Sequence, residues 1–355
     1  MKALLAERKV PDLLAGAKTV EDWRLRRKEI LYLLRHEVYG ISPHEPEHVS
    51  GEVLSKKETY GGKATIEKIS VSFDTPGGKY AFPFTLVAPT GKGKAPVFVF
   101  FNFRPEVPDE YFPAEEIIDR GFAVAMIYYN DVTTDGNAQQ GYAWDGIAAM
   151  YPRDENVGWG KIGMWAFAGS RALDYLETRA DIDAGRAAVV GHSRLGKTAL
   201  WCGAQDERFS MVISNDSGCA GAAISRGKVG ETIEDITKMF PCWFCGNYGR
   251  WADREGEATF DQHMLLSLVA PRALYVASSS EDLWADPASE YLGCVAAEDA
   301  WHIFRVPGFL APDRLPEADD SYDEGSIGYH QRRGSHFLSR TDWLHFLAYR
   351  EKHNI

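Results

Sequence analysis

A serine stands between two glycines in the segment GHSRLG, residues 191–196. The apolar run AAVV precedes this segment, and the helix-forming run KTALW follows it. A strand turning sharply into a helix here would lift the Ser193 hydroxyl above the strand end, because Gly191 and Gly196 add no side-chain bulk. The N–H of Arg194 could then stabilise a negatively charged oxygen. The pattern fits a nucleophile, and taken alone it fits a plain strand–helix turn with a serine N-cap equally well.

A nucleophilic serine needs a base to take its proton, and the base needs an orienting carboxylate. Strand–serine–helix enzymes carry these partners in the chain order serine, acid, histidine. His192 is a poor base candidate because neighbouring side chains on a tight turn diverge. His336, in GYHQRRGSHFLSRTDW (328–343), directly precedes a C-terminal helix, and we prefer it to His330 in the same predicted loop. The other downstream histidines are expected to be structural: His263, His302 and His345.

Two segments offer the orienting carboxylate. YVASSSEDLWADP leaves a predicted buried strand and offers Glu281, Asp282 and Asp286 at the carboxyl end of that strand, the usual position of the acid in this chain order. VISNDSG leaves the preceding predicted strand and carries Asp216. An aspartate after a strand is more often a solvated loop acid or a turn residue. Spacing alone therefore leaves the carboxylates of both segments as candidates.

The elements that must position these residues alternate between strands and helices. Continuous apolar, β-rich runs predict strands over 95–103, 121–130, 186–191, 209–216, 272–280 and 301–306. Helices are predicted over 20–40, 114–121, 164–179, 196–206 and 341–353, and a β-hairpin is predicted over 64–75 and 79–91. This alternation implies an α/β fold with a mostly parallel central sheet in a three-layer αβα sandwich.

Three stretches lack strong periodicity and are rich in Gly, Trp, Tyr and Pro: 131–163, 217–262 and 307–335. We expect them to cover a site at one end of the sheet. The sequence shows no low-complexity linker, internal repeat or abrupt change of composition. We therefore predict a single domain over 1–355, with an N-terminal helix and hairpin extension over about 1–90.

Composition excludes several classes of function. The net charge of −12 argues against nucleic-acid binding through a basic face. No stretch approaches the ~18 uncharged apolar residues of a membrane span. The early apolar run Ala3–Leu5 is too short for a signal peptide, which predicts a cytoplasmic protein as the chain stands, or a secreted one if the sequence is a mature form. The C-x-x-C at Cys242 and Cys245 lacks a second ligand pair, so no metal site is predicted.

Five segments, in chain order, resemble the bacterial branch of carbohydrate esterase family 15, the glucuronoyl esterases: VVGHSRLGKTALW, SNDSGCAGAAISR, GETI, DQHMLLSLVAPRALYVASSSEDLWADP and GYHQRRGSHFLSRTDW. The resemblance extends over residues 20–352. It implies an α/β-hydrolase fold and a serine esterase without a cofactor. The implied substrates are esters between 4-O-methyl-glucuronic acid of glucuronoxylan and lignin alcohols. An acetylxylan esterase or a broader carbohydrate esterase is the alternative, and a monomer is expected.

The resemblance assigns roles residue by residue. Ser193 matches the nucleophile and His336 the base. Arg194 matches the arginine that serves the oxyanion with its backbone and side chain. The matching sugar contacts are Lys197, Glu231 and Trp284. Two alternative interpretations remain open: packing in the core for Trp284, and a role as an acid at the start of a helix for Glu231.

The family divides over the acid. Fungal members use a glutamate after the earlier strand, where this chain has Asp216, whereas many bacterial members use the later aspartate, which Asp282 matches. We favour Asp282, with Asp216 as a second carboxylate that shares or supports the role. A second departure lies in FFNFRPEVPD, which keeps Asn102 and Phe103 of a family segment but not its remaining residues. The leaving-group side of the pocket is therefore expected to differ.

Overall fold

A computed structural model describes residues 1–91 and 93–355. Within them, one sheet contains ten strands in the order β1-β2-β3-β5-β4-β6-β7-β8-β10-β9. Neighbouring strands from β5 to β10 in that order pair in parallel, whereas β1 to β3, the β3–β5 pair and β9 are antiparallel. The strands are β1 Val49–Thr59, β2 Ala64–Thr75, β3 Gly78–Pro89, β4 Ala95–Asn102, β5 Ala123–Tyr128, β6 Ile182–His192, β7 Met211–Asn215, β8 Ala273–Ser279, β9 Ser321–Tyr322 and β10 Ile327–Arg332.

The α-helices follow the predicted alternation over the central part of the chain. A π-helical turn, Arg35–Tyr39, extends the second helix to Gly40. None of the helices in the described part of the chain is long and apolar enough to cross a membrane. The helices are α1 Lys2–Glu7, α2 Val20–Leu34, α3 Ala114–Asp119, α4 Lys161–Leu176, α5 Arg194–Gln205, α6 Ile233–Met239, α7 Gln262–Ser267, α8 Pro287–Ala297, α9 Asp299–His302 and α10 Arg340–His353.

Strand β4 shows why the sheet is covered on both faces. Its side chains alternate, and every residue from Val97 to Asn102 is buried. Val97 belongs to the core shared with α2, α4 and α5, whereas Phe98 and Phe100 belong to the core shared with α3 and α10. Trp343 of α10 meets Phe98 and Phe100 edge-on at 5.4 and 5.2 Å. The three-layer αβα arrangement predicted from the buried runs is confirmed.

One predicted strand, 301–306, is wrong. Residues Asp299–His302 form α9, and a turn follows in which the N–H groups of Phe304 and Val306 donate to the carbonyl of Trp301. Trp301 is the only fully buried member of the run, and its indole N–H donates to the Arg272 carbonyl at 2.9 Å. The run is therefore too exposed for a central strand, although its apolar letters suggested one.

The place expected for that strand is taken by β10, which lies within the stretch 307–335 predicted to be a covering loop. His330 was predicted in a loop and instead lies in β10, fully buried. Strand β1 was not predicted, because most of its residues are exposed and its sequence VSGEVLSKKET lacks apolar alternation. Helix α8 was also not predicted. Its first residue is Pro287, and its N-cap residue, Asp286, accepts a hydrogen bond from the N–H of Ser289 at 3.1 Å.

Gly191 allows the chain to turn from β6 into α5. A Cβ atom at this position would lie 2.0 Å from the carbonyl oxygen of Leu195, which is backbone of the helix's first turn. Real Cβ atoms do not approach backbone oxygen so closely, so any side chain would push β6 and α5 apart. The turn that carries Ser193 therefore requires glycine at 191.

Replacing Gly191 with alanine is expected to lower the free energy of unfolding by roughly 2–3 kcal/mol, because the methyl group overlaps the Leu195 carbonyl. Urea unfolding followed by circular dichroism measures the change. Gly185→Ala, in the same strand, is the matched control, since the nearest atom to its Cβ is 3.5 Å away. Equal losses in the two variants would contradict the account of the turn.

Candidate active site

Ser193 occupies the turn between β6 and α5 with φ 57° and ψ −126°, a conformation that non-glycine residues seldom adopt. Two sets of backbone bonds hold it there. Its N–H donates to the Asn215 carbonyl at 2.9 Å, and its carbonyl accepts from the N–H groups of Gly196 and Lys197. No group among residues 1–91 and 93–355 hydrogen-bonds to the Ser193 hydroxyl or accepts from the N–H of Arg194. Both groups are thus available to a ligand.

His336 and Asp282 are in direct contact. The Nδ1–H of His336 donates to Oδ2 of Asp282 at 2.5 Å, and the other oxygen of Asp282 accepts from the N–H of Ala285 at 3.2 Å. Asp282 is buried, whereas the His336 side chain is partly exposed. Burial opposes ionisation of Asp282, but the hydrogen bond and charge of His336 outweigh it and hold the pKa of Asp282 below its ordinary value. The bond leaves Nε2 of His336 free to take up a proton.

His192 packs against the ring of His336 at a centroid distance of 4.4 Å. Its Nδ1 is hydrogen-bonded to Oδ1 of Asn215 at 2.6 Å, and Tyr111 stacks on its ring at 5.8 Å. Burial, with the neighbouring His336, lowers the pKa of His192 to about 3. His192 is therefore a neutral wall beside His336, with its Nδ1 engaged by Asn215.

Asp216 lies behind the loop that carries His336. Its Oδ2 accepts from the Ser279 hydroxyl at 2.7 Å and from the N–H of Phe337 at 3.3 Å. Its Oδ1 has no hydrogen-bond partner among the described residues. Burial, together with the charge of Glu290, raises the pKa of Asp216 well above its ordinary value. Asp216 thus contacts the backbone next to His336 and not its Nδ1, which is bonded to Asp282.

Asp216, Asp282 and His336 also have the residue types of a metal site, with candidate ligand atoms within 4.8 Å of one another. The 2.5 Å hydrogen bond, however, commits His336 Nδ1 and Asp282 Oδ2 to each other. That pairing suits a base with its orienting carboxylate.

Cys242 and Cys245 are both buried free thiols, and burial raises the pKa of each to about 11.

Arg194 is fixed by two neighbours. Its guanidinium forms an ion pair with Asp135 and lies over the ring of Trp243, 4.6 Å from the centroid. The indole N–H of Trp243 in turn donates to Asp135 at 2.7 Å. This closed triangle holds the guanidinium one residue from Ser193. Asp135 was not predicted, because only the folded loop 131–146 brings it to Arg194.

The three predicted sugar contacts lie on α5 and on two loops that contact each other. Nζ of Lys197 is buried 3.8 Å from Oε2 of Glu231, and burial lowers the pKa of Lys197 although Glu231 opposes the effect. The N–H of Glu231 donates to the Trp284 carbonyl at 3.0 Å, which joins the two loops. The Trp284 side chain is 58% exposed, so the core-packing reading is wrong. The structure brings Lys197 and Glu231 together and leaves the Trp284 indole exposed.

The segment that begins at Asn102, at the end of β4, forms a loop of its own. The Asn102 side-chain amide donates to Asp109 at 2.9 Å and accepts from the N–H of Phe103 at 2.8 Å. The Phe103 ring lies 5.6 Å from the Arg194 guanidinium. Asn102 thus shapes the loop, and Phe103 borders the site.

The fold and these side chains define an α/β hydrolase. A family model described as "Glucuronyl esterase, fungi" matches residues 71–305. A glucuronoyl esterase from Solibacter usitatus is 35% identical, with a TM-score of 0.87 over 96% of this chain and 97% of that one. A structure described as a promiscuous CE15 esterase from the marine bacterial metagenome is 32% identical, with a TM-score of 0.87 over 97% of this chain and 96% of that one.

A curated relative is 4-O-methyl-glucuronoyl methylesterase from Schizophyllum commune, 29% identical over 298 residues, which cover 79% of this chain and 68% of the relative. The extent and agreement of these matches settle the family. The chain belongs to carbohydrate esterase family 15, the glucuronoyl esterases, and is a carboxylic ester hydrolase.

Glu290 of α8 supports the turn that carries Asp216 and was not singled out from the sequence. It is fully buried, and its carboxylate accepts from the Ser278 hydroxyl at 2.6 Å and the N–H of Gly218 at 2.9 Å. Burial raises the pKa of Glu290 to about 7, and the charge of Asp282 adds to the effect. Between about pH 4.5 and pH 7, the native protein therefore keeps a proton on Glu290 that the unfolded chain has lost.

Because the pKa of Glu290 is raised on folding, its ionisation costs stability as pH rises from about 4.5 to about 7. Glu290→Gln removes this cost, so the variant should gain stability relative to the wild type by as much as about 3 kcal/mol between pH 5 and pH 8. Urea unfolding at several pH values measures it. Glu281→Gln, an exposed carboxyl nearby, is the control. A difference between Glu290→Gln and wild type that is constant with pH would refute the assignment.

Proposed function

We propose that the protein hydrolyses esters between (4-O-methyl-)glucuronic acid of glucuronoxylan and lignin alcohols through an acyl-enzyme on Ser193. The observation that carries the proposal is the ion pair between Glu231 and the buried Lys197, which lies four residues after Ser193 on α5. A buried ammonium beside a carboxylate offers donors and acceptors to the hydroxyls of a sugar acid. The names of the relatives agree with this acyl group.

In the proposed mechanism, Ser193 Oγ attacks the ester carbonyl while Nε2 of His336 removes its proton. Asp282 holds the imidazole orientation through Nδ1 and stabilises the imidazolium. His336 then returns the proton to the departing alcohol, which leaves a glucuronoyl ester on Ser193. In the second half, water attacks this ester while His336 takes a proton from the water; His336 then gives that proton to Ser193 Oγ as the bond to the acyl group breaks and the uronic acid departs. The N–H and guanidinium of Arg194 stabilise the oxyanion in both halves.

The position of Lys197 on α5 favours a role in ligand binding. A cation in the first turn of a helix is opposed by the helix dipole, and burial adds a desolvation cost. Its Nζ makes no hydrogen bond with another described residue and lies 3.8 Å from Glu231, so donors remain free for hydroxyls. The exposed indole of Trp284 provides an apolar face beside the pair, suited to one face of a pyranose ring.

The substrate class is tested by a panel of benzyl and methyl glucuronate esters beside acetylated xylan, with Ser193→Ala as control. Wild-type enzyme is expected to hydrolyse the glucuronate esters in preference to the acetates, and Ser193→Ala to lose about 10⁴-fold or more in kcat. Initial rates of acid release measure both. Activity on acetates without activity on glucuronates would establish the broader carbohydrate esterase instead.

Lys197→Met should separate recognition from chemistry. Loss of hydrogen bonds from a charged group is expected to lower kcat/KM on methyl glucuronate about 10- to 100-fold, with less than about threefold loss on p-nitrophenyl acetate. Lys238→Met on α6 is the control, because its ammonium is exposed and paired with Glu234. Equal losses on both esters would make Lys197 structural and remove the main support for a uronate.

A further inference from the structure

His336 lies on a segment without regular structure, 333–339, between β10 and α10. Its side chain is 43% exposed, and its ring is held by one hydrogen bond to Asp282 and by contact with His192. An imidazole this accessible keeps its direction only if the backbone that carries it is fixed. The contacts of the segment show what fixes it.

The side chain of Arg332, the last residue of β10, hydrogen-bonds to the backbone on both sides of His336. Its Nη2 donates to the carbonyl of Ser335 at 2.9 Å and also to the carbonyl of Phe337. These are the residues immediately before and after His336. The Arg332 side chain is 11% exposed, so the guanidinium lies beneath the loop and not in solvent.

The other edge of the guanidinium is anchored. Nε of Arg332 donates to Oδ2 of Asp342 at 3.0 Å, and Oδ1 of Asp342 is bonded to Nε2 of His330 at 2.8 Å. Asp342 also accepts from the N–H and hydroxyl of Ser339, both at 2.6 Å. Burial opposes the ionisation of Asp342, but His330 and Arg332 hold its pKa at about 2. The anchor is therefore a charged carboxylate at neutral pH.

The peptide groups of Phe337 are held from two sides. Its N–H donates to Oδ2 of Asp216 at 3.3 Å, and its carbonyl accepts from Arg332. Nη2 of Arg332 is itself 3.7 Å from Oδ2 of Asp216. The backbone after His336 is thus fixed between a buried acid and a buried cation, each contacting a different atom.

We propose that Arg332 is a positioning residue for His336. The inference rests on the proposed function, in which His336 is the base. Among the described residues, the hydrogen bonds and ion pairs of Arg332 go to the loop backbone, Asp342 and Asp216 and not to Ser193, so we infer that it acts through the loop. A base displaced by about 1 Å can lose about 10²-fold in rate, which sets the scale of the effect.

Steady-state kinetics on methyl glucuronate compares Arg332→Met, Arg332→Lys and Arg333→Met. Arg332→Met should lose about 10- to 100-fold in kcat, with KM within about twofold of wild type. Arg332→Lys should recover only part of the loss, because one ammonium lacks the guanidinium's fork of donors. Arg333→Met is the matched control, since Arg333 is 71% exposed and pairs with Asp319. Wild-type kcat in Arg332→Met would overturn the proposal.

A second readout does not need turnover. The proton shared by His336 Nδ1 and Asp282 should give a downfield ¹H NMR resonance that disappears in His336→Ala. In Arg332→Lys, which keeps the charge, this resonance should shift upfield or broaden, whereas Arg333→Met should leave it in place. An unchanged resonance in a folded Arg332→Lys would overturn the proposal. If the wild type hydrolysed no glucuronate ester, the proposed function would fail while this measurement still decided the positioning role.

Discussion

The hydrogen bond between Asp282 and His336 joins two loops that leave neighbouring parallel strands. Ser279 at the end of β8 pairs with Arg332 at the end of β10, so both loops begin at one level of the sheet. The N–H of Ser280 donates to the Arg332 carbonyl, and that of Glu281 donates to the Gly334 carbonyl, both at 2.9 Å. The register of the β8–β10 pair therefore determines whether the carboxylate meets the imidazole.

The carboxyl groups behind the site are distinguished by their partners. Asp282 is hydrogen-bonded to the His336 imidazole. This interaction outweighs the effect of burial and lowers the pKa of Asp282. Asp216 and Glu290 lack such a partner, and burial raises the pKa of each. A carboxylate that must stabilise an imidazolium has to be charged in the working enzyme. The electrostatics thus favour Asp282 as the orienting acid and leave Asp216 to hold the backbone beside His336.

The sequence predicted what local patterns encode. Buried parallel strands such as β4 are continuous apolar runs, and the turn at Gly191 requires a glycine. Both features are visible in the sequence, so the fold could be predicted. Strand β1 was missed and a strand was wrongly predicted over 301–306, because the sequence alone does not show which apolar run is buried in the core. Asp135 and Arg332 were missed for a related reason. Their importance comes from contacts between loops distant in sequence, which no spacing reveals.

The central claim is that Asp282, and not Asp216, orients the base. The most direct measurement is the turnover of methyl glucuronate by Asp282→Asn and Asp216→Asn, two isosteric changes that each replace a carboxyl group with an amide. The account predicts a loss of about 10³- to 10⁴-fold in kcat for Asp282→Asn and less than about tenfold for Asp216→Asn. A large loss in Asp216→Asn with near wild-type turnover in Asp282→Asn would contradict it.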